Sequence, residues 1–167
     1  MQKVTWEEVG AAPNAILSPA YKSNGHVFTS GSVGFAPDGT VPEDVAVQTK
    51  YAIEALEKVL KSSGSSLDKV LKVLLFIANP LDAPAVNAVY KEYFKHQPAR
   101  SCVVVQFPDA RLKVELECVA VPFISREQIV TRYTIPSKHH RIWHIPALYS
   151  RPSSVKSSTM RAMLLGW

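Results

Sequence analysis

The sequence predicts an α+β domain, a mixed sheet with two helices packed on one face. Five segments of the 167-residue chain have the β-branched and aromatic composition of strands, and two have apolar residues at helical spacing. Two helices are too few to cover both faces of such a sheet. The other face must therefore meet solvent or another subunit, and the apolar segment 101–107, with valines at 103, 104 and 105, favours another subunit.

The first half of the chain predicts two strands and a helix. A weak strand is expected at 3–6 and a stronger one at 25–31, which turn residues bound on both sides. From 44 to 63, apolar residues recur on one helical face and two Glu–Lys pairs stand four residues apart. The pair Ser63-Gly64 then ends this helix.

The second half predicts a central strand, a helix and a hairpin. The nearly continuous apolar run 70–78 is too short for a buried helix, so we expect a central strand covered on both faces. Asp82 and Pro84 begin a helix that Gln97-Pro98 ends. The β-prone segments 101–107 and 113–121 are joined by turn residues, which predicts an antiparallel hairpin.

The formal net charge of +5 belongs to the C-terminal part of the chain. Residues 1–125 contain 12 Lys and Arg against 13 Asp and Glu, whereas residues 126–167 contain seven basic residues and one acidic residue. The segment 134–158 mixes prolines, histidines and serines without helical or strand periodicity. We therefore expect a domain over 1–125 and a basic, disordered extension over 126–167, or an artefact of the gene model in its place.

The sequence gives no sign of a membrane segment or a targeting peptide. No apolar run approaches the ~20 residues of a membrane span, and the first eight residues are neither apolar nor free of acid. We expect a cytoplasmic protein, with the mitochondrion as the second choice. Cys102 and Cys118 lack the spacing of a zinc site and are expected to be reduced thiols, so we expect no metal.

The residues best suited to catalysis or ligand binding are Arg100, Cys102, Glu115 and Glu117. Arg100 begins an apolar strand, where its guanidinium is suited to a carboxylate partner. The two glutamates share one face of a strand whose other face is apolar. Two interpretations stay open. One is an ordinary ion pair at the sheet edge. The other is a pocket in which Arg100 binds an anionic substrate and a glutamate accepts and donates protons or holds a water molecule.

Four segments resemble the reactive intermediate deaminase family, also called the Rid or YjgF family. The likeness runs from about residue 10 to 122, with the four segments in the family's order and near-family spacing. They are Val27-Phe28-Thr29-Ser30-Gly31, Val86-Asn87-Ala88-Val89-Tyr90-Lys91-Glu92-Tyr93-Phe94, Pro98-Ala99-Arg100-Ser101-Cys102-Val103 and Val114-Glu115-Leu116-Glu117-Cys118-Val119-Ala120.

The resemblance implies a homotrimer of chorismate-mutase-like subunits with a cleft at each interface. It implies hydrolysis of 2-imino or 2-enamino acids, such as 2-iminobutanoate and 2-iminopropanoate, to 2-keto acids and ammonia without a cofactor. By position, Arg100 matches the arginine that binds the substrate carboxylate, Cys102 the residue whose backbone faces the imine, and Glu115 the glutamate that orients or activates water.

The resemblance also assigns residues that line the pocket. Ser30 and Gly31 match a loop whose backbone lines the site, and Asn87 matches a nearby helix asparagine. Many members carry a tyrosine where an ungapped count back from Ser30 reaches Leu17. Tyr21 could serve only with a shift, so the chain departs from the family pattern there, and a pocket with Leu17 would be more apolar.

Two alternatives to a deaminase stay open at this point. A trimer that lost turnover through Leu17 would bind 2-keto acids or other carboxylates without reaction, or act as a chaperone-like protein. The family's other name, translation-inhibiting endoribonuclease, would make RNA the partner. RNA binding needs a basic surface, and only the segment 126–167 offers one.

Overall fold

The computed structural model describes residues 1–123, and within them seven strands form one mixed sheet with two long helices on one face. The expected α+β class is confirmed, while the expected extension at 126–167 lies outside the described residues. In space the strand order is β1-β2-β3-β7-β5-β6, with β4 also paired to β7. The strands are β1 (Gln2–Val4), β2 (Ala20–Ser23), β3 (His26–Thr29), β4 (Ser32–Val33), β5 (Val70–Ile77), β6 (Ala99–Val104) and β7 (Val114–Ala120), and the helices are α1 (Trp6–Val9), α2 (Val45–Ser62) and α3 (Ala83–Tyr93).

Helix α2 forms the largest part of the layer that covers the sheet. Asp44 begins it, because its Oδ1 accepts hydrogen bonds from the backbone N–H groups of Ala46 at 2.6 Å and Val47 at 3.2 Å. Ile53, Leu56 and Leu60 recur at helical spacing and are fully buried against the sheet. This helix confirms the prediction for 44–63 to within two residues at each end.

Strand β5 is central, but only one of its faces is covered within this chain. Val73, Leu75 and Ile77 are buried beneath the helices, whereas Leu74 and Phe76 on the opposite face are only partly buried. Within residues 1–123 the expected cover is present on one face only, and cover of the second face by another subunit stays a prediction. The apolar composition of the second face indicates a surface suited to further packing, which the covalent chain does not supply.

The predicted hairpin between 101–107 and 113–121 is also wrong. Strand β6 pairs in parallel with β5, and β7 pairs antiparallel with the other edge of β5, so β5 separates the two. The cause is the crossover through α3, which returns the chain to β5 as a parallel neighbour. The connecting turn residues then pass the end of β5, where Val105 N–H bonds Ile77 O at 2.9 Å and Ala78 N–H bonds Lys113 O at 3.0 Å.

Two short elements near the N-terminus escaped the sequence prediction. Thr5 and Glu8 form a capping box that begins α1, with Thr5 N–H donating to Glu8 Oε2 at 2.6 Å. Asn24 and Gly25 both have positive φ, of 49° and 75°, and form the tight turn that joins β2 to β3. The Asn-Gly pair therefore marks a hairpin and not only the start of a strand.

Gln48 joins α2 to the turn that precedes β7. Its buried amide Nε2 donates to Pro42 O at 2.6 Å and to Arg111 O at 2.8 Å, and its Oε1 accepts from Lys113 N–H at 2.8 Å. The three bonds reach backbone groups of two segments, one at Pro42 and one at 111–113, which are far apart in sequence. Gln48 therefore fixes the point at which β7 begins.

We predict that Gln48→Leu lowers the free energy of unfolding by about 3 kcal/mol, because it leaves three polar backbone groups without a partner. Thr49→Val is the matched control, since Thr49 is equally buried on α2 and bonds only Val45 O of its own helix. The control should cost less than about 1 kcal/mol. Urea denaturation measures both, and equal losses would contradict this role of Gln48.

Candidate active site

Arg100 and Cys102 lie on the side of the sheet that faces α3. Parallel partners share a face, and these residues pair with Val73 and Leu75, which are buried beneath the helices. Because β6 is the edge strand, Arg100 and Cys102 nevertheless remain exposed. Asn87 lies on α3, is partly buried and stands one turn before Tyr90, so it shares a helix face with that tyrosine.

The Arg100 guanidinium lies over an aromatic ring and not against a carboxylate. Its Cζ is 4.6 Å from the centroid of the Tyr90 ring. Among residues 1–123 no Asp or Glu oxygen lies within 4.0 Å of Arg100, and no described side chain or backbone group accepts a hydrogen bond from it. The interpretation of Arg100 as half of an edge ion pair with Glu115 or Glu117 is therefore wrong for this part of the chain.

Glu115 lies on the opposite, open face of the sheet. On β7 it is the partner of Phe76 on β5 and of Val33 on β4, and it is partly buried. Burial raises the pKa of the Glu115 carboxyl above its ordinary value of 4.5, and the negative charge of Glu117 raises it further. The expectation that the two glutamates share one face, with the apolar residues of β7 on the other, is confirmed.

Gly31 lies directly against the carboxylate of Glu115. A Cβ atom at position 31 would collide with Glu115 Oε1 and lie 2.7 Å from its Cδ. Any side chain at position 31 would therefore force the Glu115 carboxylate to move, and glycine leaves room for it in its present place. The structure thus brings together Gly31 and Glu115, which are 84 positions apart in the sequence.

The loop before β2 is held against Ser30. Ser30 N–H donates to Pro19 O at 2.8 Å, and Ser30 Oγ donates to Ser18 O at 2.6 Å. Leu17 directly precedes these two partners, and its side chain is 45% exposed. Its carbonyl oxygen accepts a hydrogen bond from Trp6 Nε1 at 2.8 Å, which holds the loop from its other side.

Tyr21 lies away from this loop. It is the register partner of Phe28 on β3, and Ala20 is the partner of Thr29, so the β2–β3 pairing contains no shift. The aromatic rings of Tyr21 and Phe28 share the open face of the sheet. Leu17, and not Tyr21, thus lies in the loop that is hydrogen-bonded to Ser30.

The two groups of predicted site residues do not meet within one chain. Arg100 is level with Val73 and Glu115 with Phe76, on strands that β5 separates. Strand spacing and rise place their Cα atoms about 14 Å apart, and their side chains lie on opposite faces of the sheet. One group contains Arg100, Cys102 and Asn87, and the other contains Glu115, Ser30, Gly31 and Leu17.

Each group has a distinct chemical capacity. A guanidinium with free N–H donors can bind a carboxylate through two parallel hydrogen bonds. A carboxyl group whose pKa is raised is a stronger base than an ordinary carboxylate and can take up a proton and return it. Burial raises the pKa of the Cys118 thiol to about 11, which makes it a poor nucleophile.

Residues 1–123 contain no group of three His, Cys, Asp or Glu side chains placed to hold a metal ion. Over the same range, no helix is both long and apolar enough to cross a membrane.

Tyr90 is the residue of this region that the sequence did not mark as a candidate site residue. It falls on the apolar face of α3, where its position in the sequence pattern is that of an ordinary core residue. Its ring is indeed buried, but one face of it lies beneath Arg100. The one available signal was the spacing of three residues between Asn87 and Tyr90, which places them on the same helix face.

Comparison with known proteins places the whole described domain in one family. A family model described as endoribonuclease L-PSP matches residues 9–122. The protein HMF1 of Saccharomyces cerevisiae is 37% identical over 115 residues, which cover 68% of this chain and 89% of HMF1. The likeness therefore includes both groups of site residues.

Two further relatives carry a functional or family name, and one of them has a structure with a bound ligand. A protein of Escherichia coli named "putative reactive intermediate deaminase TdcF" is 36% identical over 100 residues, covering 57% of this chain and 78% of TdcF. A crystal structure of TdcF with bound serine matches with a TM-score of 0.61 over 67% of this chain and 94% of that one. A structure described as a member of the conserved Rid protein family, from Yersinia pestis, matches with a TM-score of 0.65 at 32% identity, over 72% of this chain and 98% of that one.

We predict that Gly31→Ala lowers the free energy of unfolding by about 2 kcal/mol, since its Cβ displaces the Glu115 carboxylate. In a Glu115→Ala background the same change should cost close to nothing, because the obstructing side chain is gone. A double-mutant cycle by urea denaturation measures this coupling. Equal costs in the two backgrounds would show that Glu115 does not lie against Gly31.

We predict that the Glu115 carboxyl titrates above 4.5 and that Glu117→Gln lowers its midpoint without bringing it to 4.5. The substitution removes the like charge but leaves the burial. The stability associated with the protonated form is present below pH 4.5 and is lost as the pH rises through the raised pKa. Carboxyl carbon shifts measured by NMR report the midpoint, and an unchanged midpoint in Glu117→Gln would contradict the coupling.

Proposed function

Because this chain belongs to the endoribonuclease L-PSP family, also known as the Rid or YjgF family, we propose that it hydrolyses 2-imino and 2-enamino acids to 2-keto acids and ammonia. The observation that carries this proposal is the Arg100 guanidinium, which is exposed, held over Tyr90 and free of acceptors among the described residues. Such a group is suited to the carboxylate that these substrates share. Imines of the 2-iminobutanoate and 2-iminopropanoate type are the substrates proposed.

Substrate binding combines the side chain of Arg100 with the backbone of the edge strand. The guanidinium holds the carboxylate through two hydrogen bonds, which orients the adjacent imine carbon. Strand β6 has a neighbour on only one side, so part of its backbone around Cys102 faces away from β5. These free peptide groups are available to the imine nitrogen, in line with the role expected for Cys102.

Hydrolysis needs a water molecule, a base and a proton donor. A protonated imine is already electrophilic at C2, so water adds there as Glu115 accepts one of its protons. The resulting tetrahedral adduct carries a hydroxyl and an amino group on one carbon. Glu115 returns its proton to the nitrogen, and the C–N bond breaks to release ammonia. The regenerated Glu115 carboxylate takes the hydroxyl proton as the C2 oxygen becomes a carbonyl, and this proton then passes to the released ammonia or to water. The raised pKa of Glu115 suits these transfers.

We propose that the site is completed between copies of this chain in a homotrimer. Two observations support this: Arg100 and Glu115 lie on opposite faces of the sheet, and the open face exposes Tyr21, Phe28 and Val103. A second copy that covers this apolar face would exclude water from it. Its Arg100 group would complete the Glu115 group of the first copy, and a closed trimer would contain three such clefts.

Leu17 distinguishes this chain within the proposed mechanism. Its exposed isobutyl side chain directly precedes Ser18 and Pro19, which bond Ser30, so we place an apolar side chain beside the Ser30–Gly31 loop. This favours substrates with apolar side chains. It also supports the second candidate function, a trimer that binds carboxylates without turnover, because an apolar wall supplies no hydroxyl to assist the water.

RNA cleavage is not favoured by the described domain. Residues 1–125 carry one more acidic than basic residue, and binding to phosphates requires an excess of basic side chains. The basic residues of 126–167 lie outside the described part of the chain and add no support.

We predict that Arg100→Ala lowers kcat/KM for enzymatically generated 2-iminobutanoate by about 100-fold or more, because the carboxylate loses a bidentate partner. Arg111→Ala is the matched control, since Arg111 is an exposed arginine paired with Asp109 in a surface turn. That variant should retain full activity. Continuous detection of ammonia or 2-oxobutanoate measures both rates.

Three outcomes separate the candidate functions. Loss of activity in Arg100→Ala, with full activity in Arg111→Ala, supports the deaminase. Calorimetric binding of 2-oxobutanoate by a wild-type protein that shows no turnover would establish the binding function in its place. Unchanged turnover in Arg100→Ala would contradict both, because both depend on that guanidinium.

A further inference from the structure

The Tyr90 ring, which lies beneath Arg100, is held in place by buried side chains of the hydrophobic core. Tyr90 is 7% exposed and stacks on Phe94, with ring centroids 4.4 Å apart and planes inclined by 24°. Phe94 is fully buried, and the ring of His96 lies 6.4 Å from it. His96 is in turn bonded to the carbonyl oxygen of Val70 at 2.9 Å. The Tyr90 ring is therefore a rigid surface that the hydrophobic core positions.

The hydroxyl group of Tyr90 does not account for the presence of this residue. Its oxygen is buried and finds no hydrogen-bond partner among the described residues. An unpartnered buried hydroxyl destabilises the folded state. Phenylalanine would pack against Phe94 equally well without that loss, so the useful part of the side chain is the ring face that meets the guanidinium.

The contact leaves the donors of Arg100 free. A guanidinium that stacks on a ring uses its flat face, while its five N–H groups point outward in the plane. On an edge strand, a long arginine side chain otherwise samples many rotamers, and ordering it on binding weakens affinity. A ring that holds the guanidinium in advance reduces this loss.

We infer that Tyr90 is the positioning residue of the site: its buried ring orients the Arg100 guanidinium, with the N–H groups directed outward, to receive the carboxylate of a 2-imino or 2-keto acid. This inference rests on the proposed function for the identity of the ligand. It assigns to the ring, and not to the hydroxyl, a contribution to affinity. Tyr90 itself does not contact the reacting atoms.

The test uses the full-length chain with Tyr90→Phe, Tyr90→Leu and the control Tyr93→Leu. Calorimetry gives the Kd of 2-oxobutanoate, NMR follows the Arg100 Nε–H resonance without ligand, and urea denaturation gives the stability. Tyr93→Leu removes a partly buried ring at the end of α3, whose hydroxyl donates to Glu54 and which lies outside the Tyr90–Phe94 stack and the Arg100 contact. Should Tyr90→Leu not fold, Tyr90→Met replaces the ring with a flexible side chain that fills the same space.

Tyr90→Phe should bind 2-oxobutanoate as wild type does, whereas Tyr90→Leu should bind it about fivefold more weakly. Tyr93→Leu should keep the wild-type Kd even if it is less stable. The Arg100 Nε–H resonance should be shifted upfield by the ring in wild type and Tyr90→Phe, and lose this shift in Tyr90→Leu.

Failure of the inference and failure of the proposed function are distinguishable. A wild-type Kd in Tyr90→Leu, or equal weakening in Tyr93→Leu, overturns the role of the Tyr90 ring while the function stands. If wild type neither hydrolyses 2-iminobutanoate nor binds 2-oxobutanoate, the proposed function is wrong, and the NMR shift then decides whether the ring orients Arg100. An Arg100 resonance that is the same in wild type and Tyr90→Leu overturns the inference in either case.

Discussion

The position of β5 between β6 and β7 is the constraint on which the candidate site depends. Parallel pairing on one edge sets Arg100 level with Val73, on the side of the helices. Antiparallel pairing on the other edge sets Glu115 level with Phe76, on the open face. Because side chains alternate strictly along a strand, a slip of one residue in either pairing would move one of these groups to the wrong side.

Each group is supported by its own part of the core. On one side, the stacked rings of Tyr90 and Phe94 carry Arg100. On the other side, Gln48 fixes the start of β7, and Gly31 leaves room for the carboxylate of Glu115. Buried residues thus set the direction of exposed ones, which is how a small domain holds reactive groups without ordering them through ion pairs.

The sequence predicted local features well and strand pairing poorly. Helix α2 was predictable because Asp44 and the buried positions of its apolar face are local signals. The hairpin error at 101–121 arose because an alternating pattern shows which residues share a face but not which strand lies next to it. The burial of only one face of β5 was equally hidden, since Leu74 and Phe76 are as apolar as the residues beneath the helices.

For the site, the resemblance supplied the residues and the structure supplied their arrangement. Composition alone left Arg100 as either an ion-pair partner or a binding group, and the structure removed the first option among residues 1–123. Tyr90 could not be recognised from sequence, because an aromatic residue in an apolar stripe has the same pattern whether or not a cation covers it.

Complementation between two inactive variants tests most directly the claim that Arg100 and Glu115 of different copies form one site. Arg100→Ala and Glu115→Gln chains, each with a different affinity tag, are co-expressed in equal amounts and assayed for 2-iminobutanoate hydrolysis. If the site is shared in a trimer, random mixing restores about one quarter of the wild-type activity, because each mixed trimer contains one intact cleft. Activity in the mixture no higher than in the separate variants would contradict the account and place the two residues in a site within a single chain.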